Sequence, residues 1–339
     1  MNNLEHFKDN LASQRILIVG DVMVDTYMWG DVSRISPEAP VPIVSINRHE
    51  KRLGGAANVA LNIRSLGAMP VICTVLGKDD NATDFQQIMY NHDMDKRGII
   101  CSDDRITTVK TRVIGNMMHI VRVDEEVTTP LSGSDEDSLI ERIERIFKTL
   151  PINAIILQDY DKGCLTPKII DHVTRLAQRK HVITTVDPKH RNFKNYHDVT
   201  LFKPNLKELK EGLNIEIDET STETMKCDLD KAARLLHERQ HIEIVMITLS
   251  SKGVYVCDFR NETPHSFILP AHLRTISDVS GAGDTVISVI TLALSMGIDI
   301  ETSVRYANMA GGIVCEQVGV VPIDKERLIG ELANEKSVE

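Results

Sequence analysis

The chain has 339 residues, 42% of them hydrophobic and 26% charged, with a formal net charge of −10. That is enough apolar material for a large α/β core, and the acidic balance makes nucleic acid and anionic membrane surfaces poor partners over long range. The segment from Met1 to Arg15 has no basic start followed by an apolar stretch, no run approaches the ~18 apolar residues of a membrane span, and the six cysteines form no CxxC pair, so a cytoplasmic protein without zinc or disulfides is expected.

In chain order, Arg15 to Val19 reads as a buried strand, and Gly20-Asp21-Val22-Met23-Val24-Asp25 follows it. In a parallel sheet the carboxyl end of a strand is where ligands collect, so Asp25 is either a ligand-holding carboxylate or a turn residue. Val24 to Ile46, and later Thr107 to Val123, read as extended chain with no helix at the usual distance, which predicts a small separate sheet. Trp29, beside Tyr27 and Met28, then either makes a dimer contact or packs on its own domain. Leu53-Gly54-Gly55-Ala56-Ala57-Asn58 opens a helix from Gly55 to Leu66. Two glycines allow close backbone approach to a ligand, and Asn58 offers both a donor and an acceptor to a polyol.

Pro70 to Leu76, Ala154 to Leu157, Val182 to Val186 and Glu243 to Leu249 read as further buried strands. Asp135 to Leu150, Pro167 to Arg179 and Leu229 to Arg239 show helical spacing between them, and Asp218 to Lys226 is loosely polar. This alternation predicts a doubly wound, mostly parallel sheet with helices on both faces and the extended segments as a small β lid, in a single domain spanning 1–339. Several strand ends carry polar residues: Asp159-Tyr160-Asp161-Lys162-Gly163, Asp187-Pro188-Lys189, and Thr248-Leu249-Ser250-Ser251-Lys252-Gly253. Lys162 is a cation for a phosphate or part of a turn; Thr248, Ser250 and Gly253 suit a nucleotide or a plain hairpin. In Lys203-Pro204-Asn205-Leu206-Lys207-Glu208 the three-residue spacing of Asn205 and Glu208 fits nucleotide phosphates with magnesium, and also a capping box.

The most informative stretch is Asp278-Val279-Ser280-Gly281-Ala282-Gly283-Asp284, which runs into the apolar helix Thr285 to Met296. Small residues at a helix start leave N–H groups unpaired, and the helix dipole adds partial positive charge where a phosphoryl group can sit. Asp284, in the first turn, shares that pocket and can take a proton from an attacking hydroxyl. Farther on, Asn308 and Gly311-Gly312 admit a flat purine or serve helix packing.

The two Gly-rich motifs, in this order, resemble the signatures of PfkB, or ribokinase-like, carbohydrate kinases. Gly20 to Asp25, Arg34-Ile35-Ser36-Pro37-Glu38-Ala39-Pro40-Val41-Pro42-Ile43, Asp159-Tyr160, Lys162-Gly163, Asp187-Pro188-Lys189 and Lys203-Pro204-Asn205 more closely resemble the D-glycero-β-D-manno-heptose 7-phosphate kinases of lipopolysaccharide biosynthesis, from about Arg15 to Val321. The resemblance implies ATP-dependent phosphorylation of the anomeric hydroxyl, with Asp284 as base and Gly281, Ala282 and Gly283 as anion hole. It places Asn205, Leu206, Lys207 and Glu208 on ATP and its Mg²⁺, Glu208 through water, with Thr248, Ser250, Gly253, Asp278 and Asn308 bordering the nucleotide. It places Asp25, Gly54, Gly55 and Asn58 on the sugar, and Arg34, Arg112, Lys162 and Lys189 on phosphate.

It further implies a lid-mediated homodimer and a K⁺ site at backbone carbonyls near Asp278 and Ser280. Many such kinases are fused to a C-terminal nucleotidyltransferase; a chain ending at Glu339 is expected to be the kinase alone. Gln158 stands where these kinases usually show Ser, Asn116-Met117-Met118-His119 replaces a more polar and basic stretch, and His190-Arg191 replaces a Gly-containing turn. These departures leave open a related kinase of fructose 6-phosphate, tagatose 6-phosphate or ribose, or a catalytically silent sugar-phosphate sensor.

Overall fold

The computed structural model describes residues 3–272 and 274–335. Its strands, in chain order, are β1 (Arg15–Gly20), β2 (Val22–Ile35), β3 (Pro42–Gly55), β4 (Met69–Gly77), β5 (Ile99–Ser102), β6 (Val109–Gly115), β7 (Met118–Glu125), β8 (Ala154–Gln158), β9 (Ile183–Asp187), β10 (Leu201–Phe202), β11 (Ile244–Thr248), β12 (Val254–Asp258) and β13 (His265–Leu269). The helices are α1 (Asn3–Asn10), α2 (Ala56–Ser65), α3 (Asp80–Asn91), α4 (Gly133–Thr149), α5 (Pro167–Lys180), α6 (Leu206–Leu213), α7 (Thr222–Gln240), α8 (Ala282–Ser295), α9 (Ile300–Val314) and α10 (Lys325–Glu335).

Nine strands form one sheet in the order β13-β12-β11-β10-β9-β8-β1-β4-β5, parallel except at the β12 and β13 edge. Both faces are covered, which is why central strands such as β1 and β8 carry apolar residues pointing to both sides. Ile16 and Ile18 of β1 pack into the layer of α2, α8 and α9, while Leu17 and Val19 pack into that of α4, α5 and α7. The doubly wound fold expected from the sequence is thus present. One boundary differs: α7 begins within the tract read as loosely polar, because the Ser221 hydroxyl accepts the Thr224 N–H and the Thr224 hydroxyl accepts the Ser221 N–H.

The extended segments form a second sheet, β3-β2-β6-β7. It is longer than the 24–46 segment predicted, since β3 continues to Gly55 and makes Gly54-Gly55 a strand end leading directly into α2. Trp29 packs on its own sheet, stacked on Tyr27 at 6.1 Å and covered by the Arg48 guanidinium at 4.7 Å. Ile46, Met117, Met118, Val121 and Val123 of this lid remain exposed.

Capping separates two helices from the others. Helices α3, α4, α5, α6, α7 and α9 each start at an Asp, Ser, Thr or Asn whose side chain accepts a first-turn N–H. By contrast α2 and α8 start at Gly55 and Gly281, with no side-chain cap. In each the first amide is taken by a nearby carbonyl instead, Ala56 N–H by Asp21 at 2.9 Å and Ala282 N–H by Val279 at 3.3 Å.

The junction that orients these starts is tight. A methyl group on Gly20 would collide with the carbonyl oxygen of Gln158 on the neighbouring β8, whereas one on Gly133 meets nothing within 4 Å. Gly20→Ala is expected to cost about 3 kcal/mol of stability and Gly133→Ala less than about 0.5 kcal/mol. Urea denaturation midpoints test this; equal midpoints would refute the close approach.

Candidate active site

Helix α8 begins after Gly281, whose φ of +81° lies in the left-handed region that a side chain disfavours. The turn this creates directs the Ala282 N–H to the Val279 carbonyl at 3.3 Å. The N–H groups of Gly283 and Asp284 have no acceptor among the described residues. Ala282 was expected to donate to an anion; its amide is instead spent closing the turn, and the bare donors sit one residue later.

The Asp284 carboxylate is buried here and held by three donors. Asn58 Nδ2 donates to Oδ2 at 2.7 Å; the Tyr160 hydroxyl at 2.7 Å and Gln158 Nε2 at 3.1 Å donate to Oδ1. Burial raises its pKa to about 6, against the pull of Asn58, Tyr160 and Lys203, and Asp187 adds to the rise. Tyr160 keeps its proton, because burial and the charges of Asp284, Asp187 and Asp25 push its pKa well above the usual phenol value.

Gln158 Nε2 also donates to Asp187 Oδ2 at 3.2 Å, and Asp187 Oδ2 pairs with Lys203 Nζ at 3.0 Å. Both Gln158 partners are carboxylates, so its amide nitrogen must face them and its oxygen is left over. Gln158 Oε1 and Asn58 Oδ1 are buried with no hydrogen-bond partner. Two unmatched acceptors beside a carboxylate suit a ligand with adjacent hydroxyls. These residues come from the ends of β8, β9 and β10 and from α2. Sequence reading singled out Gln158 as a departure bearing on substrate choice, quoted Tyr160 and Lys203 only as motif letters and gave none of them a role at Asp284; the available signal was their position after apolar strand runs.

On the side expected to hold sugar, Asp25 is buried and paired with Arg112 of β6, and a side chain on Gly54 would collide with the Asp25 carboxylate. Gly55, at φ +62°, makes the turn into α2. Lys162 Nζ donates to Glu126 at 2.8 Å, and Glu126 also takes Lys110 at 3.0 Å. Lys189 pairs with Glu208 and lies 5.7 Å from the centre of the Tyr160 ring. Three of the expected phosphate-binding cations are therefore each held by a carboxylate. Arg34 is different: it is exposed on the outer part of β2 opposite Ile43, without an ion-pair partner among the described residues.

On the side expected to hold nucleotide, Asn205 Oδ1 accepts the Glu208 N–H and Glu208 Oε2 accepts the Asn205 N–H, both at 2.8 Å. The capping box is real, and the other Glu208 oxygen takes Lys189. Direct metal ligation by Glu208 would cost it that lysine, while contact through a metal-bound water would not. Among the described residues no group of three or more His, Cys, Asp and Glu is disposed to hold a metal ion.

Leu206 is half-buried and Lys207 points to solvent. Thr248 ends β11 in a parallel bridge with Asn205, which brings the two loops side by side, and Ser250 and Gly253 form the tight turn into β12. Asp278 accepts the N–H groups of Ser280 and Gly319, both at 2.9 Å, and so ties two loops together. Asn308 Nδ2 donates to the Pro270 carbonyl at 2.8 Å. Helix packing accounts for Gly311, since a side chain there would meet Val286 of α8 at 2.8 Å; at Gly312 it would meet Arg274.

The chain belongs to the pfkB family of carbohydrate kinases, whose model matches residues 13–326. It is a sugar kinase by that membership. Among curated proteins it is similar to "Bifunctional protein HldE" of Methylobacillus flagellatus, 37% identical over 322 residues covering 95% of this chain and 64% of that protein. The protein of the same name from Helicobacter pylori strain J99 is 35% identical over 306 residues, 90% of this chain and again 64% of the relative. The chain therefore spans less than two thirds of these relatives. Among solved structures, phosphofructokinase-2 from Escherichia coli in complex with potassium superposes with a TM-score of 0.74 at 18% identity, over 94% of this chain and 99% of that one. Arabidopsis thaliana ribokinase complexed with ribose and ATP superposes at 0.66 and 15% identity, over 93% and 98%. At these identities the structural likeness speaks for the fold.

A carboxyl with a pKa of about 6 is protonated below that pH and can act as a base only above it. We expect kcat/KM to rise through pH ~6 and level off above it. Tyr160→Phe removes a donor to the ionised form, so the midpoint should move upward. Asp284→Asn should cost about 10²-fold or more in kcat with near-normal ATP binding by calorimetry; retained turnover would remove Asp284 from the base role.

Proposed function

We propose that this chain transfers the γ-phosphoryl group of ATP to the anomeric hydroxyl of D-glycero-β-D-manno-heptose 7-phosphate, giving the 1,7-bisphosphate and ADP. The observation that carries the chemistry is the buried Asp284 carboxylate beside the bare Gly283 and Asp284 amides. The heptose assignment is supported by the tract from Arg34 to Ile43 together with the strand-end motifs.

In this reading the sugar hydroxyl displaces part of the Asp284 shell and gives its proton to the carboxylate as its oxygen bonds to phosphorus and the bond to ADP breaks. An anomeric hydroxyl is more acidic than an ordinary alcohol, and a loose transition state needs alignment and charge neutralisation more than a strong base. Neighbouring hydroxyls reach Asn58 Oδ1 and Gln158 Oε1, whose own donors already hold Asp284. Asp25 binds sugar hydroxyls, and Arg112, Lys162 and Lys189 supply charge for the sugar's phosphate. ATP lies over the α6 start and the turn after β11. Glu208 would hold the magnesium of ATP through a bound water, and the ion would supply charge that offsets the phosphates.

A monovalent cation such as K⁺ fits the carbonyl-rich loops that Asp278 ties together. The exposed apolar residues of the lid support a homodimer through that sheet. The cysteines are all unpaired and no helix among the described residues is long and apolar enough to cross a membrane, which agrees with a cytoplasmic enzyme feeding ADP-heptose and lipopolysaccharide synthesis.

One observation favours a second reading: Gln158, where heptose kinases usually carry Ser, touches Asp284 itself. A kinase of fructose 6-phosphate or tagatose 6-phosphate would keep the same base with a different sugar. Assaying ATP consumption on heptose 7-phosphate, fructose 6-phosphate, tagatose 6-phosphate and ribose, with product NMR, separates them. Heptose 7-phosphate is expected to give the highest kcat/KM and a phosphate at C1; a better hexose phosphate would overturn the assignment. Arg112→Ala is expected to raise KM for the preferred sugar phosphate about 10- to 100-fold with a smaller change in kcat.

A further inference from the structure

We propose that Lys203 is a catalytic residue whose ammonium group contacts the phosphoryl group in transit. This rests on the reading of the α8 start as the place of transfer. Lys203 directly follows the two-residue strand β10 and is only 3% exposed. A methyl group built on Gly283, the second residue of α8, would lie 3.6 Å from Lys203 Nζ and 3.9 Å from Asp187 Oδ2. The ammonium therefore stands beside the stretch of backbone that carries the two bare amides.

An ammonium has three N–H donors, and the ion-pair partner of Lys203 Nζ among the described residues is Asp187 Oδ2, at 3.0 Å. A buried cation with unused donors is costly unless an anion completes its shell. The adjacent helix start, with two free N–H groups and a positive dipole end, attracts the same kind of group. Three or four donors from two separate elements converge on one place, and a tetrahedral, multiply charged phosphoryl group matches that set. Asp187 anchors the lysine from behind and, through Gln158, connects it to Asp284. The cation that stabilises the phosphoryl group and the carboxylate that takes the proton are thus set against each other by one continuous run of contacts. Lys203 forms no covalent bond in the step; its contribution is charge aimed at oxygens that gain negative charge as transfer proceeds.

A merely structural lysine would only neutralise Asp187. Lys203→Met alone leaves that carboxylate buried without its partner and risks unfolding, so the decisive protein is the double variant Lys203→Met/Asp187→Asn, which removes both charges. We expect it to fold and to bind ATP within about threefold of wild type. With ATP and heptose 7-phosphate its kcat should fall about 10²- to 10³-fold, as for loss of one oxyanion donor, and its slow ATP hydrolysis without sugar should fall as well. Affinity for ADP with aluminium fluoride, a mimic of the phosphoryl group in flight, should fall in parallel while affinity for ADP alone does not. A kcat within about threefold of wild type would overturn the proposal. If Asp284→Asn is inactive while the double variant is not, the site stands and Lys203 has no part in the chemistry; if both remain active, the site itself is misplaced.

Discussion

The structure is organised around one buried charge, the Asp284 carboxylate at the start of a helix that has no cap of its own. Burial makes that charge expensive, and three side-chain donors from α2, β8 and the loop after β8 are spent on keeping it where it is. Those donors hold Asp284 only if the carboxyl ends of β1 and β8 meet the start of α2. That meeting in turn requires the collision-free approach of Gly20 to Gln158 and the sharp entry into α2 at Gly55. The requirements of the fold and of the site are the same contacts seen from two ends.

The rest of the crevice follows the same rule. Asp25 with Arg112, Asp187 with Lys203, and Lys189 with Glu208 are each opposite charges brought largely out of water. Such pairs add little net stability, because desolvation offsets much of their attraction. Apolar residues of the same size would give a more stable protein with nothing to do. Stability comes instead from the two apolar layers on either face of the large sheet. The charged crevice is a local expense that a core of this size tolerates, which is why ionisable groups can sit largely out of water there.

The parts legible in the sequence are those written in consecutive residues. Buried parallel strands are continuous apolar runs, so β1, β4, β8, β9 and β11 were placed within a residue or so. Asp284 and its glycines could be read because the whole device is local: small residues, then an acid, then an apolar helix. What could not be read was assembled across strands. Tyr160, Gln158 and Lys203 reach Asp284 or its neighbours only through the pairing order of β8, β9 and β10, which no window of sequence contains. Lys203 was further hidden by its neighbours, since the Asn205 and Glu208 pair announces a helix cap and draws attention to the other end of the motif. Trp29 shows the converse limit: an aromatic in an extended segment fits a dimer contact or a stacked pair equally well until Tyr27 and Arg48 are seen around it.

The second sheet is held to the loop before α8 by a short series of contacts. Tyr27 lies beneath the guanidinium groups of both Arg52 and Arg112, at 4.9 and 5.3 Å from its ring centre. Arg52 donates to the Val320 carbonyl at 2.9 Å, and the neighbouring Gly319 N–H is held by Asp278, which also holds Ser280 at the mouth of the α8 turn. Arg112 is meanwhile the partner of Asp25. A displacement of the lid base that breaks the Arg52 contact therefore removes a support of the 319–320 loop. The same displacement disturbs the ring on which Arg112 rests. These shared contacts tie the base of the second sheet, the 319–320 loop and the turn into α8 to one another, so a displacement at one of them is felt at the others.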